Sequence, residues 1–137
     1  MHRCIISLAA NCNQKENLAE ARKLLGQILF DVRYTRELWT KPVGSVSSQP
    51  SARGETNSSE CQYLNQLAYA CTELSCDELE RTLKAVECRM GRTEADRRKG
   101  IVRIDLDLML YDDTRHHIQD WGRPYITQLL RKEVEHQ

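Results

Sequence analysis

The sequence predicts an α+β domain in which one antiparallel sheet carries two helices on the same face. Three observations predict it. Segments 3–9, 31–40, 62–72 and 101–111 have strand character, rich in β-branched, aromatic and alternating apolar residues. Segments 14–29 and 76–89 carry apolar residues at helical spacing. The resulting order, β-α-β-β-α-β, fits a single antiparallel sheet with both helices on one side, the ferredoxin-like arrangement.

The first strand, Arg3 to Ala9, is an almost continuous apolar run, which suits a central position in the sheet. A turn at Ala9 to Asn13 leads into the first helix, whose stripe is Leu18, Ala21, Leu24, Leu25, Ile28 and Leu29. The second strand, 31–40, ends at Lys41-Pro42-Val43-Gly44, since proline cannot donate to a ladder. Residues 45–60 are rich in Ser, Gly and Pro with no apolar period, and read as a long loop. The third strand alternates Tyr63, Asn65, Leu67 and Tyr69 on one face with Leu64, Gln66, Ala68 and Ala70 on the other. Ser75 and Glu78 form a capping-box pattern before the second helix, whose stripe is Leu79, Leu83, Val86 and Met90. Gly91 closes that helix, and a charged loop runs from Thr93 to Gly100. The fourth strand follows, and 126–134 forms a short final helix.

The 137 residues indicate one domain spanning 1–137, and no internal repeat divides it. Twenty basic and 20 acidic side chains give a net charge of zero, which argues against a broad nucleic-acid or membrane-binding surface. The apolar patch Cys4 to Ala10 is too short to span a bilayer and lacks signal-peptide flanks. The six cysteines contain no close C-x-x-C pair, so they read as reduced thiols of a cytoplasmic protein rather than as a disulfide or zinc framework. Adjacent His116 and His117 diverge on an extended chain and would not share a metal.

The chemistry concentrates in Gly91 to Tyr111. On the fourth strand Arg103, Asp105 and Asp107 point one way, and Ile104, Leu106, Leu108 and Leu110 the other. Two adjacent carboxylates repel unless a cation lies between them. Mg²⁺ suits the position, because it takes one or two carboxylates together with phosphate oxygens. The basic run Arg97-Arg98-Lys99 would close over the phosphates. The rival reading is a half-exposed strand with a polar face; aspartate is a poor strand former, which counts against it.

These pieces resemble the 6-hydroxymethyl-7,8-dihydropterin pyrophosphokinase family of folate biosynthesis, over residues 4 to about 130. The matching pieces are Asn11, Thr40-x-Pro42-x-Gly44, Tyr63-Leu64-Asn65, Glu87-x-x-x-Gly91-Arg92 and Asp105-Leu106-Asp107, with His117 and Arg123-x-Tyr125 in the tail. The resemblance implies transfer of pyrophosphate from MgATP to the pterin hydroxymethyl group, with release of AMP. It implies two Mg²⁺ ions on Asp105 and Asp107, with Arg92 and Arg103 as catalytic arginines. Thr40, Pro42, Val43, Tyr63, Asn65 and Tyr125 would surround the pterin, and Glu87, Arg92, Arg98, Leu108, Thr114, His117 and Arg123 the nucleotide. The partners implied are small molecules, with no nucleic acid or membrane, and a monomer or weak homodimer.

Some positions depart from the family pattern. Val102 stands where a second loop arginine is usual, and Arg103 one residue later would substitute. Lys99 replaces a loop tryptophan, Ala9 a glycine, and Tyr125 a stacking phenylalanine. The C-terminal tail is shorter than the pattern. The alternative is a catalytically divergent relative acting as a nucleotide- or pterin-binding or structural module. A ferredoxin-like nucleotidyltransfer or RNA-binding domain is disfavoured by the zero net charge and the absence of an aromatic-basic sheet face.

Overall fold

The computed structural model describes residues 1–41, 62–91 and 93–135. It is a mixed α+β domain built on an antiparallel sheet. The elements in order are β1 (His2–Ala10), α1 (Gln14–Ile28), β2 (Phe30–Tyr34), β3 (Leu38–Thr40), β4 (Tyr63–Thr72), α2 (Cys76–Arg89), α3 (Glu94–Arg98), β5 (Asp105–Tyr111), β6 (Thr114–Arg115), a 3-10 helix (Ile118–Gly122) and α4 (Pro124–Glu135). The strands run β2-β4-β1-β5-β6, and β3 also pairs with β4. Every pairing is antiparallel.

The expected alternation builds the larger core. Cys4, Ile6, Leu8 and Ala10 of β1, Leu64 and Ala68 of β4, and Leu106 and Leu108 of β5 meet the stripes of α1 and α2 on one face. The opposite parity of the sheet supplies Ile5, Leu67 and Met109, which pack on Ile126 and Leu129 of α4. The second face of the sheet is therefore partly covered by the last helix. The amphipathic stripe of α4 accounts for this, since an apolar helix face must find a sheet to bury against.

The capping box forms as written in the sequence. Glu78 N–H donates to the Ser75 hydroxyl at 3.2 Å, and Ser75 N–H donates to the Glu78 carboxylate at 3.0 Å. Gly91 takes φ +100°, a conformation that side chains other than glycine's rarely adopt.

Four expectations are corrected. The strand expected at 31–40 is two strands with a break at 35–37. There Glu37 turns to Lys15 and Arg22 of α1, and the Gln66 amide donates to the Thr35 carbonyl at 2.7 Å. This tertiary polar network overrides local strand propensity. The charged loop contains α3. The strand expected from 101 is β5, which begins at Asp105, so Arg103 lies before it and bonds to Asp96 of α3. Finally, Leu110 does not follow Leu108 into the larger core. Ile6 pairs with Leu108 but Ile5 pairs with Leu110, so one extra residue is accommodated at Met109. This β-bulge turns Leu110 to the α4 face and Tyr111 to the other.

Candidate active site

Asp105 and Asp107 leave β5 on the α4 side of the sheet, opposite the apolar pair Leu106 and Leu108. Ala9 faces Asp105 across the ladder, and its small side chain leaves room beside the carboxylates. A cavity of about 240 Å³ opens there, lined by Thr40, Lys41, Tyr63, Asn65, Asp105, Asp107, Asp120, Arg123, Tyr125 and Ala9. A second cavity, of about 350 Å³, lies on the α2 side and is lined by Asp77, Glu80, Arg81, Lys84, Leu108 and His117 among others. Asp107 lines both.

The electrostatics centre on the same residue. Burial pushes the Asp107 carboxyl above the usual carboxylate range, and Asp105 and Asp120 add to the shift; His117 and Lys84 oppose it. His117 Nε2 lies 3.8 Å from Asp107 Oδ1. The donor set fits a hard divalent cation: two carboxylates on one strand face, whose repulsion a cation between them would relieve.

The sequence-predicted residues that are described fall into distinct places. Thr40, Tyr63, Asn65, Tyr125 and both aspartates meet in the smaller cavity, and Arg123 joins them there rather than in the larger one. Arg123 Nε donates to Asp120 Oδ1 at 2.7 Å, which raises its pKa further. Burial also raises the Tyr125 hydroxyl. Asn65 is 3% exposed, and its amide nitrogen donates to the Leu38 carbonyl at 3.0 Å and the Thr40 hydroxyl at 2.9 Å. It thereby fastens β3 to β4 and fixes the strand that carries Thr40.

On the α2 side, Leu108 and His117 line the larger cavity. Glu87 does not reach it as a lining residue; it is buried, and its Oε2 accepts the Leu106 N–H at 2.7 Å. Arg98 and Thr114 are exposed and line neither cavity. Arg103 Nε donates to Asp96 Oδ2 at 2.7 Å, and this bond raises the guanidinium pKa. Arg103 is thus held by α3. Pro42, Val43, Arg92 and loop 45–60 lie outside the described residues.

Asn11 explains how the segment before β5 is set. Its side chain donates to the Gly100 carbonyl at 2.9 Å and accepts the Val102 N–H at 2.6 Å, while its own N–H donates to the Val102 carbonyl at 2.8 Å. The end of β1 therefore fixes the approach to the carboxylate strand. Sequence reasoning missed Lys41, Lys84 and Asp120. The positions Asp77, Glu80 and Arg81, and Lys84 recur at helical spacing and mark one polar face of α2. Asp120 sits in a 3-10 turn and leaves no periodic signal.

The chain is 30% identical over 132 residues to a folate synthesis bifunctional protein of Arabidopsis thaliana, a match covering 89% of this chain and 25% of that protein. It is 29% identical over 131 residues to a mitochondrial folate synthesis bifunctional protein of Pisum sativum, covering 89% of this chain and 23% of that protein. The chain thus spans about a quarter of the length of these relatives. The family model for 7,8-dihydro-6-hydroxymethylpterin-pyrophosphokinase matches residues 5–135, and the chain belongs to that family.

Proposed function

We propose that this chain transfers a pyrophosphoryl group from MgATP to the hydroxymethyl group of 6-hydroxymethyl-7,8-dihydropterin and releases AMP. The observation that carries the reading is the position of Asp107, on the wall of two cavities at once. The framework supports it too: an antiparallel α+β sheet with α1 and α2 on one face suits this family's chemistry, and we read the run β2-β4-β1-β5 as its ferredoxin-like part.

The smaller cavity takes the pterin. Tyr125 and Tyr63 offer aromatic faces, and Thr40 and Asn65 offer polar groups to the ring edge. The larger cavity takes the nucleotide, with Lys84 and Arg81 supplying positive charge and Leu108 an apolar wall. Asp105 and Asp107 would hold Mg²⁺, which when bound neutralises phosphate charge and polarises the phosphoryl group. The pterin hydroxyl oxygen forms a bond to the β-phosphorus and gives up its proton to solvent, and the bond from that phosphorus to the bridging oxygen, which leaves with AMP, breaks. The chain's own task is to present the two reactants to each other from the two cavities.

A second reading, a binding module without transfer, is favoured by one feature. Arg103, the substitute for the missing loop arginine, is engaged by Asp96 rather than directed to the carboxylates. AMP release from MgATP, with and without the pterin and in parallel with Asp105→Ala, separates the two. The transfer reading expects pterin-dependent AMP that falls by roughly 10²–10³-fold in the variant. Folded protein that releases no pterin-dependent AMP overturns it in favour of the binding module.

A further inference from the structure

Away from the aspartate pair, three metal-ligating side chains of different kinds converge. Cys76 opens α2, and Glu80, four residues later, shares its face. His116 follows β6. Cys76 Sγ lies 3.6 Å from His116 Nε2, the ring nitrogen that would meet the ion, and Glu80 Oε2 lies 3.9 Å from Nδ1, on the other side of the same ring. One donor atom from each residue lies within 4.8 Å of the others, and all three residues are half-buried.

The histidine is held from both sides of its backbone. Its N–H donates to the Met109 carbonyl at 2.8 Å, and its carbonyl accepts the Trp121 indole N–H at 3.0 Å. The Arg115 guanidinium covers that indole at 4.4 Å. A ligand fixed in this way loses little freedom on binding an ion.

The donor set selects the ion. Mg²⁺ takes oxygen ligands and would neglect a thiolate and an imidazole. Zinc binds sulfur, nitrogen and carboxylate oxygen. A zinc tetrahedron with Zn–S of about 2.3 Å and Zn–N of about 2.0 Å has a sulfur–nitrogen edge of about 3.5 Å. The observed Cys76–His116 separation of 3.6 Å fits that edge.

We propose that Cys76, Glu80 and His116 form a binding site for a zinc-class divalent cation, separate from Asp105 and Asp107. Three protein ligands leave a fourth position for water or another small ligand. The site does not depend on the pyrophosphokinase reading.

A plain thiol–imidazole hydrogen bond would produce the same contact, and cobalt(II) distinguishes the two. The full chain, stripped with a chelator, is titrated with cobalt(II) and followed by absorption. The proposal expects one equivalent to develop a thiolate-to-cobalt charge-transfer band that zinc abolishes and excess Mg²⁺ leaves intact. Cys76→Ser removes the band; Cys88→Ser, at an exposed free cysteine, retains it. His116→Gln and Glu80→Gln weaken cobalt affinity and alter the ligand-field bands, and serve where Cys76→Ser does not fold. No band with the wild-type chain, or an unchanged spectrum in folded variants at Cys76, His116 and Glu80, overturns the proposal.

Discussion

Replacing Glu87 tests how the carboxylate strand is held. The residue is 2% exposed, and its carboxyl accepts the N–H of Leu106, the residue between Asp105 and Asp107. Glu87→Ala leaves that buried N–H without its acceptor, at a cost of about 1–3 kcal/mol. With a urea dependence of about 2 kcal/mol per molar, a loss of 2 kcal/mol lowers the unfolding midpoint by about 1 M. Glu87→Gln keeps an oxygen able to accept the bond, so its midpoint falls between the two. Urea unfolding of the three proteins by circular dichroism measures this, and under the pyrophosphokinase reading the Mg²⁺ dependence of AMP release measures its reach into the site. The alanine variant should need more Mg²⁺, because the strand carrying both aspartates has lost its brace. An alanine midpoint matching wild type, together with a raised KM for ATP alone, would refute the reasoning; Glu87 would then serve the nucleotide directly.

Three further outcomes follow from particular contacts. Ser75→Ala removes one half of the capping box and should cost about 1 kcal/mol in thermal or urea unfolding, with Ser75→Asp closer to wild type. The Asp112 carboxyl is held below its usual value of 3.8, first by the bond with His2 and also by the Arg3 N–H. Its contribution is therefore present above that value and lost as pH falls through the lower folded value. The stability gap to Asp112→Asn, a residue that tolerates the φ of 53° at this position, should narrow in that acid range; a gap independent of pH would contradict it. Under the pyrophosphokinase reading, Tyr125→Phe should change the pterin KM by less than about threefold, while Tyr125→Ala should raise it by up to about tenfold. Steady-state AMP release decides between these values.

Local patterns made much of the framework legible. The Leu79, Leu83, Val86 stripe, the Ser75–Glu78 box and the alternation of Asp105, Leu106, Asp107 and Leu108 each depend on neighbours a few residues away. What was not legible depends on distant partners. The break at 35–37 is set by Arg22 and Gln66, and Leu110 changes face because of its register against Ile5. Alternation grouped Arg103 with Asp105 on a strand taken to start at 101, whereas β5 starts at 105 and Arg103 Nε donates to Asp96 Oδ2, a partner seven residues back. Cys76 and His116 are 40 residues apart, and no zinc-finger spacing announces them.

The outer edge of β5 gives the aspartates their opportunity. β1 takes one side of the strand, whereas β6 pairs only with Leu110 and Tyr111 on the other. Among the described residues, no strand pairs with the outer edge of 105–108. The Leu106 N–H goes instead to Glu87, so a backbone donor that would otherwise seek a ladder partner is satisfied from a helix. Asp107 lines the cavity on the α2 side together with Leu106 and Leu108, and it lines the cavity on the α4 side as well. A two-substrate displacement needs its reactants to approach one another from different sides of a common anchor. Under the pyrophosphokinase reading, the brevity of β6 and the burial of Glu87 are two parts of one arrangement, in which a helix carboxyl takes the place of a strand partner for Leu106 and the edge of β5 beside Asp107 is left for substrate.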